Sequence, residues 1–252
     1  MVENNQIVPY LGNDKNSKLV VASLAVVLDF ISAINLRKNE LIRSYLFSPD
    51  KCWRINPSAV DKFKSSLLRY AILSNNTDAA ILLLDYGANP NARDQHDNSI
   101  LYYAILGKRV KLVSHLCLAG VSLSLLDKSE DTPLHFATKC GHVEIFMILF
   151  NAGANLHLRD GQGVSLLHVA ARHSSDIMKF LLDVNFNPNC RDNFGNTPLH
   201  DAVFVNRFDI ILELLDNGAD IHAKNQKGLS PFDFARKYNA SKTMRLFSET
   251  QV

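Results

Sequence analysis

The chain has 252 residues, of which 47% are hydrophobic and 21% charged, and its formal net charge is +2. This composition is that of a folded globular protein and excludes an intrinsically disordered chain, which would be poorer in apolar residues and more highly charged. No stretch concentrates Lys and Arg into the basic stripe that phosphate binding requires, so we expect no nucleic-acid partner.

The cysteines and the apolar segments bear on cellular location. The four cysteines are scattered, without a Cys-x-x-Cys pair or the spacing of metal ligands, and we expect reduced thiols in a cytoplasmic protein. The apolar run 19–28 follows a long leader and stops at Asp29, which favours a buried helix over a signal peptide. Because no later segment is long and apolar enough to span a bilayer, we expect no membrane association. The cysteines are Cys52, Cys117, Cys140 and Cys190.

The N-terminal region differs from the rest of the chain. Residues 1–17 are rich in Asn and lack periodicity, so we expect them to be disordered. Residues 18–63 hold a faint copy of the repeat that fills the rest of the chain, because 33–46 can be aligned with 71–84. The end unit of a stacked array needs one face suited to water. We therefore interpret 18–63 as a helical N-terminal capping repeat.

From residue 64 onward the sequence repeats, and each copy is marked by an alanine. The marker alanines are 33, 33, 33, 32 and 33 residues apart, and the missing residue falls near 173–176. Units of this size cannot bury their apolar faces alone, so they stack on their neighbours. The markers are Ala71, Ala104, Ala137, Ala170, Ala202 and Ala235. The predicted repeats are 64–94, 95–127, 128–160, 161–192, 193–225 and 226–247, followed by a tail at 248–252.

Each copy is predicted to contain two helices. Five residues before each marker alanine stands a Ser or Thr, whose hydroxyl suits the N-cap of a first helix, and Pro follows it in three copies. The second helix ends at Gly or Asn, which tolerate left-handed backbone. The predicted N-caps are Ser66, Ser99, Thr132, Ser165, Thr197 and Ser230. The predicted helix-ending residues are Gly87, Gly120, Gly153, Asn185 and Gly218.

Two copies carry the pattern most clearly. Residues 132–137 read Thr-Pro-Leu-His-Phe-Ala, and 197–202 read Thr-Pro-Leu-His-Asp-Ala. These segments resemble the ankyrin-repeat consensus, and the resemblance covers about 64–247. It implies an all-α ankyrin-repeat solenoid of stacked helix-turn-helix units with finger β-turns. The chain departs from the consensus at Asp97 and Glu130, where a turn glycine is usual. The finger turns are expected at Asp94, Asp127, Asp160, Asp192 and Asn225.

Nine histidines invite a metal-binding or catalytic interpretation. Three of them, His135, His168 and His200, directly follow the anchoring leucine of a first helix, and the resemblance implies that they hydrogen-bond adjacent repeats together. Cys140 is either a reactive thiol near cationic neighbours or a packed cysteine. The sequence contains no zinc-protease motif, phosphate-binding glycine loop or nucleophile elbow. We therefore predict no catalytic residue, no metal and no cofactor.

The resemblance implies that a partner meets the concave face built by finger tips and first helices. The residue before each marker alanine is expected to point there, and residues three and four positions further along border it. Aromatic residues and Arg, which dominate binding hot spots, are frequent at these places. The alternative is that the rings pack against their own finger loops. The predicted partner-binding residues are Tyr70, Tyr103, Leu106, Phe136, Lys139, Val169, Arg172, Asp201, Phe204 and Phe234.

The sequence supports three classes of function to different degrees. The leading one is a monomeric, non-enzymatic adaptor or inhibitor that binds one partner protein. The alternative is ubiquitin-ligase recruitment, because the segment from Leu46 through Pro49 to Trp53 faintly resembles an F-box, although the usual Leu-Pro-acid start is absent. An enzyme would need a catalytic constellation that the sequence does not show. Abundant Asn, Lys and Ile would suit an effector of a host-associated bacterium or virus, acting in the host cytosol.

Overall fold

The computed structural model describes residues 24–47, 66–127, 130–238 and 240–249. Within these ranges the regular secondary structure is helical, and an isolated antiparallel bridge joins Arg93 to Ser99. The all-α prediction is confirmed. The first helices of the pairs are α1 (Leu24–Asn35), α3 (Leu67–Leu73), α5 (Ile100–Leu106), α7 (Pro133–Lys139), α9 (Leu166–His173), α11 (Pro198–Phe204) and α13 (Pro231–Lys237). The second helices are α2 (Asn39–Leu46), α4 (Thr77–Asp85), α6 (Val110–Leu118), α8 (Val143–Asn151), α10 (Ser175–Asp183), α12 (Phe208–Asp216) and α14 (Ser241–Glu249).

The chain divides into two compact units, 1–122 (unit 1) and 123–252 (unit 2). In unit 1, α3 packs against α1 and α5, and α4 packs against α2 and α6. In unit 2, α9 lies between α7 and α11, α11 also contacts α13, and α12 contacts α10 and α14. All six marker alanines are fully buried, as small residues must be where neighbouring helices approach closely.

The first helices begin where the hydroxyl pattern predicts. Ser66 Oγ accepts a hydrogen bond from the Arg69 amide, and Thr132 Oγ1 accepts one from the His135 amide. These bonds satisfy amides that have no partner inside the helix. All six predicted N-cap residues occupy the N-cap position, which confirms this part of the repeat pattern.

The second helices end in left-handed backbone. The five predicted ending residues have φ between +62° and +91°. A side chain with a Cβ is strained in this region, and Gly and Asn bear the strain best. The predicted helix ends are confirmed.

The finger turns also form where expected. In each turn the Asp or Asn accepts a backbone hydrogen bond from the residue three positions later, as in Asp97 N to Asp94 O at 2.9 Å. In the third finger of unit 2 the left-handed position is Gly195, with φ of 76°, but Asp97 and Glu130 hold it at 64° and 60°. The two departures from the consensus therefore keep the turn and accept local strain.

The 32-residue spacing has a local explanation. The links α3–α4, α5–α6, α7–α8 and α11–α12 each contain a left-handed residue, such as Asn75 or Asn206. In the fourth repeat Ser174 alone joins α9 to α10, with extended backbone at φ −149°. It is both the C-cap of α9 and the N-cap of α10, where its Oγ accepts the Ile177 amide.

Helices α1 and α2 pack on the first full repeat. Phe30, Ile34 and Ile42 are fully buried, and the Asn76 side-chain amide donates to the Ile34 carbonyl at 3.0 Å. The predicted disordered segment 1–17 lies outside the described residues. The boundaries of the cap and of the repeats stay predictions, and α14 continues to Glu249, two residues into the expected tail.

Candidate functional site

One exposed position recurs in the last turn of every first helix from α3 to α13, two residues after the marker alanine. We call these residues the first-helix face of their unit. In unit 1 they are Leu73 and Leu106, which are 55% and 53% exposed. In unit 2 they are Lys139, Arg172, Phe204 and Lys237, and Phe204 is 54% exposed. Leu73 was missed in the sequence, although the same offset from Ala71 identifies it.

The residue before the marker alanine is less open than predicted. Tyr70, Phe136 and Phe234 are half-buried. Val169 and Asp201 are only 2% and 4% exposed, so the expectation that they present side chains to a partner is wrong. Asp201 lies beneath the Arg172 side chain of the preceding repeat, and repeat offset alone cannot show this covering.

The Tyr103 side chain is hydrogen-bonded to the finger turn that precedes its own helix. Its hydroxyl donates to Asp94 Oδ2 at 2.5 Å, and the Arg69 guanidinium lies 5.2 Å from the ring centre. Burial raises the pKa of Asp94, but the hydrogen bonds from Tyr103 and from the Asn98 and His96 amides outweigh it and hold the pKa below its usual value. Tyr103 therefore fits the alternative in which the ring stabilises the finger loop.

Two exposed cations in unit 2 stand over buried carboxylates. Lys139 Nζ donates to both Asp131 oxygens at 2.8 and 2.6 Å, and Arg172 Nη2 donates to Asp201 Oδ1 at 2.6 Å. The side chains of Lys139 and Arg172 are 37% and 39% exposed, whereas those of Asp131 and Asp201 are 2% and 6% exposed. The charge that reaches the surface is therefore positive.

Burial dominates the titration of both carboxyl groups. It raises the pKa of Asp131 above its usual value, and that of Asp201 to about 6, although the neighbouring cations oppose the shift. Asp201 Oδ2 is buried without a hydrogen-bond partner.

A hollow of about 280 Å³ opens beside these cations. Val164 and Val169, both buried, form its apolar floor. His173 lies at its rim, and the pKa of this imidazole is lowered by burial and by the positive charges of Arg172 and Lys139. The remaining lining residues are Lys139, Asp160, Gln162 and Arg172.

An aromatic cluster continues the same face toward the C-terminus. The Phe204 ring meets Tyr238 edge-on at 5.2 Å, and Tyr238 meets Phe234 at 5.8 Å. Tyr238 is 44% exposed and directly follows α13, outside the helix pattern used to choose candidates in the sequence. Its position just after Lys237, a residue of the face, is the signal that could have found it.

The three consensus histidines bind neighbouring repeats together. Their Nε2 atoms donate to carbonyls of the next finger: His135 to Val164 at 3.1 Å and His168 to Asn196 at 3.0 Å. His200 reaches Leu229 at 3.0 Å. Burial lowers the pKa of all three imidazoles, that of His168 to about 4, so they are neutral at pH 7. The structural interpretation of these residues is confirmed.

The remaining chemical candidates are weak. Cys140 is half-buried, and burial raises the pKa of its thiol, which disfavours the reactive thiolate. Within the part of the chain that the structure describes, no three His, Cys, Asp or Glu side chains cluster closely enough to hold a metal ion. Across the same residues, every helix is too short or too polar to cross a membrane.

Comparisons with known proteins agree with this architecture. The family of ankyrin repeats (3 copies) matches in four overlapping segments, 30–127, 68–160, 107–192 and 134–225. The human ASB11 ankyrin repeat domain superimposes with a TM-score of 0.69 at 25% identity, over 81% of this chain and 90% of that domain.

Curated relatives match over shorter stretches. The rice potassium channel KOR2 is 32% identical over 77 residues, which are 31% of this chain and 11% of the channel. The Drosophila neurogenic locus Notch protein is 40% identical over 73 residues, 28% of this chain and 3% of Notch. The matched part is a small fraction of either relative. Because the family pattern spans most of the sequence and the helix pairs reproduce it, the chain belongs to the ankyrin-repeat family.

Proposed function

We propose that this chain is a non-enzymatic adaptor or inhibitor that binds one partner protein through its first-helix faces. Ankyrin repeats indicate a protein–protein interaction module, and this proposal adds the surface. The observation that carries it is the exposure of Leu106 and Phe204, at 53% and 54%, at the recurring position two residues after the marker alanine. The other proposed contacts are Tyr70, Tyr103, Phe136, Lys139, Arg172 and Phe234, with Val169 and Asp201 as buried supports.

The two exposed first-helix residues can be tested together, because the chain offers a matched control pair on its second helices. Leu106 lies in unit 1 and Phe204 in unit 2, and each has a matched exposed residue on a second helix of the same unit. Leu118 is 82% exposed at the end of α6, and Leu212 is 38% exposed in α12. The second-helix pair therefore controls for general loss of surface hydrophobicity.

The test compares Leu106→Ala/Phe204→Ala with Leu118→Ala/Leu212→Ala. Partners are captured from eukaryotic lysate on the full chain, identified by mass spectrometry, and then purified for titration. We expect the first-helix variant to melt normally and to bind the partner about thirtyfold more weakly, equivalent to about 2 kcal/mol. Undiminished binding by this variant, or equal loss in the control, would rule out the proposed surface.

The ubiquitin-ligase alternative receives no support from the described residues. Most of its segment, including Pro49 and Trp53, lies outside them. Leu46, which lies within them, is 2% exposed and belongs to the core of unit 1. Monomeric action in the cytoplasm and a host-directed effector role remain parts of the proposal, and identification of the captured partner tests them.

A further inference from the structure

We propose that the first-helix face of unit 2 binds an acidic segment of the partner protein. In this arrangement a carboxylate side chain lies over Lys139 and Arg172, and a neighbouring aromatic or aliphatic side chain packs on Phe204 and Tyr238. The inference rests on the proposed function and specifies the chemistry of its partner.

The first argument is that the cation of each ion pair lies nearer the protein surface than its carboxylate. At both ion pairs the cation is more than one-third exposed and the carboxylate is nearly buried. An approaching ligand therefore meets Lys139 and Arg172 before it meets Asp131 or Asp201. A guanidinium has five N–H donors, and the bond to Asp201 Oδ1 uses one. The surface donors suit a ligand carboxylate, because charge-assisted hydrogen bonds are among the strongest.

The second argument is the hollow beside the cations. Its volume of about 280 Å³ is close to the lower end for ligand sites, roughly 300 Å³. The one acid in its lining, Asp160, is turned to its own finger, where Oδ1 accepts the Gln162 and Val164 amides, each at 2.9 Å. The apolar floor can hold the methylene groups of an acidic side chain while its carboxylate stays at the cationic rim.

The third argument is the adjacent aromatic cluster. Arg172 reaches Asp201 in the next repeat, and Phe204 lies one helical turn after Asp201. The cationic rim and the exposed ring of Phe204 are thus neighbours on successive first helices. A segment that carries both an acid and a large apolar side chain can use both, whereas a purely acidic segment would leave Phe204 and Tyr238 uncovered.

The same features disfavour a nucleic acid. Phosphate binding draws its affinity from many Lys and Arg contacts, and the first-helix face of unit 2 offers Lys139, Arg172 and Lys237. Asp131 and Asp201 lie directly beneath two of these cations. A few cations beside exposed aromatic rings fit a short protein segment with one or two acids.

The experiment selects peptides from a phage-displayed library of random dodecapeptides on the full chain. We expect enrichment of sequences that join Asp or Glu to Phe, Trp, Tyr or Leu. An enriched peptide and its twin, with Asp and Glu replaced by Asn and Gln, are then titrated by fluorescence anisotropy. We expect the twin to bind roughly tenfold more weakly.

The matching variant is Lys139→Gln/Arg172→Gln, and its control is Lys179→Gln. Lys179 lies on α10, is 61% exposed, and has its partner Glu213 at 3.9 Å. We expect the double variant to bind the acidic peptide roughly tenfold more weakly and no longer to distinguish it from its twin. The control should bind like the wild type. If the double variant melts early, adding Asp131→Asn and Asp201→Asn removes the orphaned buried charges and restores the comparison.

The outcomes separate the two proposals. Enriched peptides without acids that lose affinity for Phe204→Ala would overturn the acidic chemistry and leave the first-helix face as a binding surface. Peptides that are insensitive to every first-helix substitution would overturn both proposals. Single-stranded oligonucleotides that bind more tightly than the peptides, and are lost with Lys139→Gln/Arg172→Gln, would assign the face to nucleic acid instead.

Discussion

The two units build the same repeat but join neighbouring repeats through different side chains. In unit 2 a buried imidazole, as in His168, joins each of the first helices α7, α9 and α11 to a carbonyl of the next finger. At the corresponding position unit 1 has Arg69 and Tyr102. The Arg69 guanidinium contacts the finger residue Asp94 at 3.4 Å and lies 5.2 Å from the ring centre of Tyr103 in the next repeat. A second joint in unit 1 lies near the helix-to-helix loops. There the Arg109 guanidinium donates to the Ile72 carbonyl at 2.7 Å and to Asn75 Oδ1 at 2.6 Å. The consensus histidine is therefore one solution to joining repeats.

The largest expected loss of folding stability follows from removing the buried histidine of unit 2. His168→Ala leaves the Asn196 carbonyl and the Ser165 amide without their imidazole partner, and we expect it to lower the free energy of unfolding by about 2–3 kcal/mol. Urea denaturation followed by circular dichroism measures this.

The matched change in unit 1 is Arg109→Met, which keeps an unbranched apolar stem and removes the guanidinium donors. Because Arg109 is only half-buried, water can replace the lost partners and we expect a cost of about 1 kcal/mol. Equal costs for the two substitutions would show that burial of the joint does not distinguish the units.

A second difference should appear with pH. The pKa of His168 is about 4 in the folded chain and about 6.5 when unfolded, so the unfolded state binds more protons between these values. The stabilisation by neutral His168 is therefore complete above pH 6.5 and is lost as the pH falls toward 4. Comparing wild type with His168→Gln, we expect the cost of the substitution to shrink by about 1–2 kcal/mol between pH 7 and pH 5.

The comparison with His168→Gln is needed because the titration of Asp201 changes the folding stability with pH in the opposite direction. Its pKa is raised to about 6, so its protonation favours the folded state in the same range. A constant cost of His168→Gln at both pH values would show that this imidazole is not neutral and buried as described.

The smallest expected effect concerns the fingers. Glu130 has φ of 60° at the position that Gly195 and Gly228 occupy in later fingers. Replacing it by glycine removes the left-handed strain, and we expect Glu130→Gly to raise the free energy of unfolding by about 1 kcal/mol. The reverse change, Gly195→Ala, should lower stability, because its Cβ would lie 3.0 Å from the Gln226 amide nitrogen. Stabilisation by Gly195→Ala would contradict this account.

Local sequence chemistry predicted most of the fold. N-cap hydroxyls, left-handed helix ends and the shortened fourth repeat depend on single residues and their near neighbours, which a repeat alignment shows directly. The exposure of the candidate surface was predicted less well. Val169 and Asp201 have the offset of surface residues, but Asp201 is covered by Arg172 from the preceding repeat. Such covering depends on side-chain reach across repeats.

The role of Tyr103 also depends on a contact that the repeat alignment does not show. Its aromatic ring suggested a binding hot spot, but the hydroxyl bond to Asp94 becomes visible only when the finger folds back on the helix. Leu73 and Tyr238 are exposed but are not among the predicted contacts, although Leu73 has the same offset as Leu106, and Tyr238 lies just beyond the end of α13. The exposed position itself, two residues after the alanine, is the more reliable guide.

The single-residue link at Ser174 has a consequence for how the array tolerates change in length. The links α3–α4, α5–α6, α7–α8 and α11–α12 each contain a left-handed residue, and a loop with such a residue can absorb an insertion by forming a wider turn. Ser174 uses its amide to close α9 on Ala170 and its hydroxyl to open α10 at Ile177. An insertion at this link would place the C-cap of α9 and the N-cap of α10 on two different residues. We therefore expect insertions and deletions to occur in the corresponding loops of other repeats rather than at Ser174.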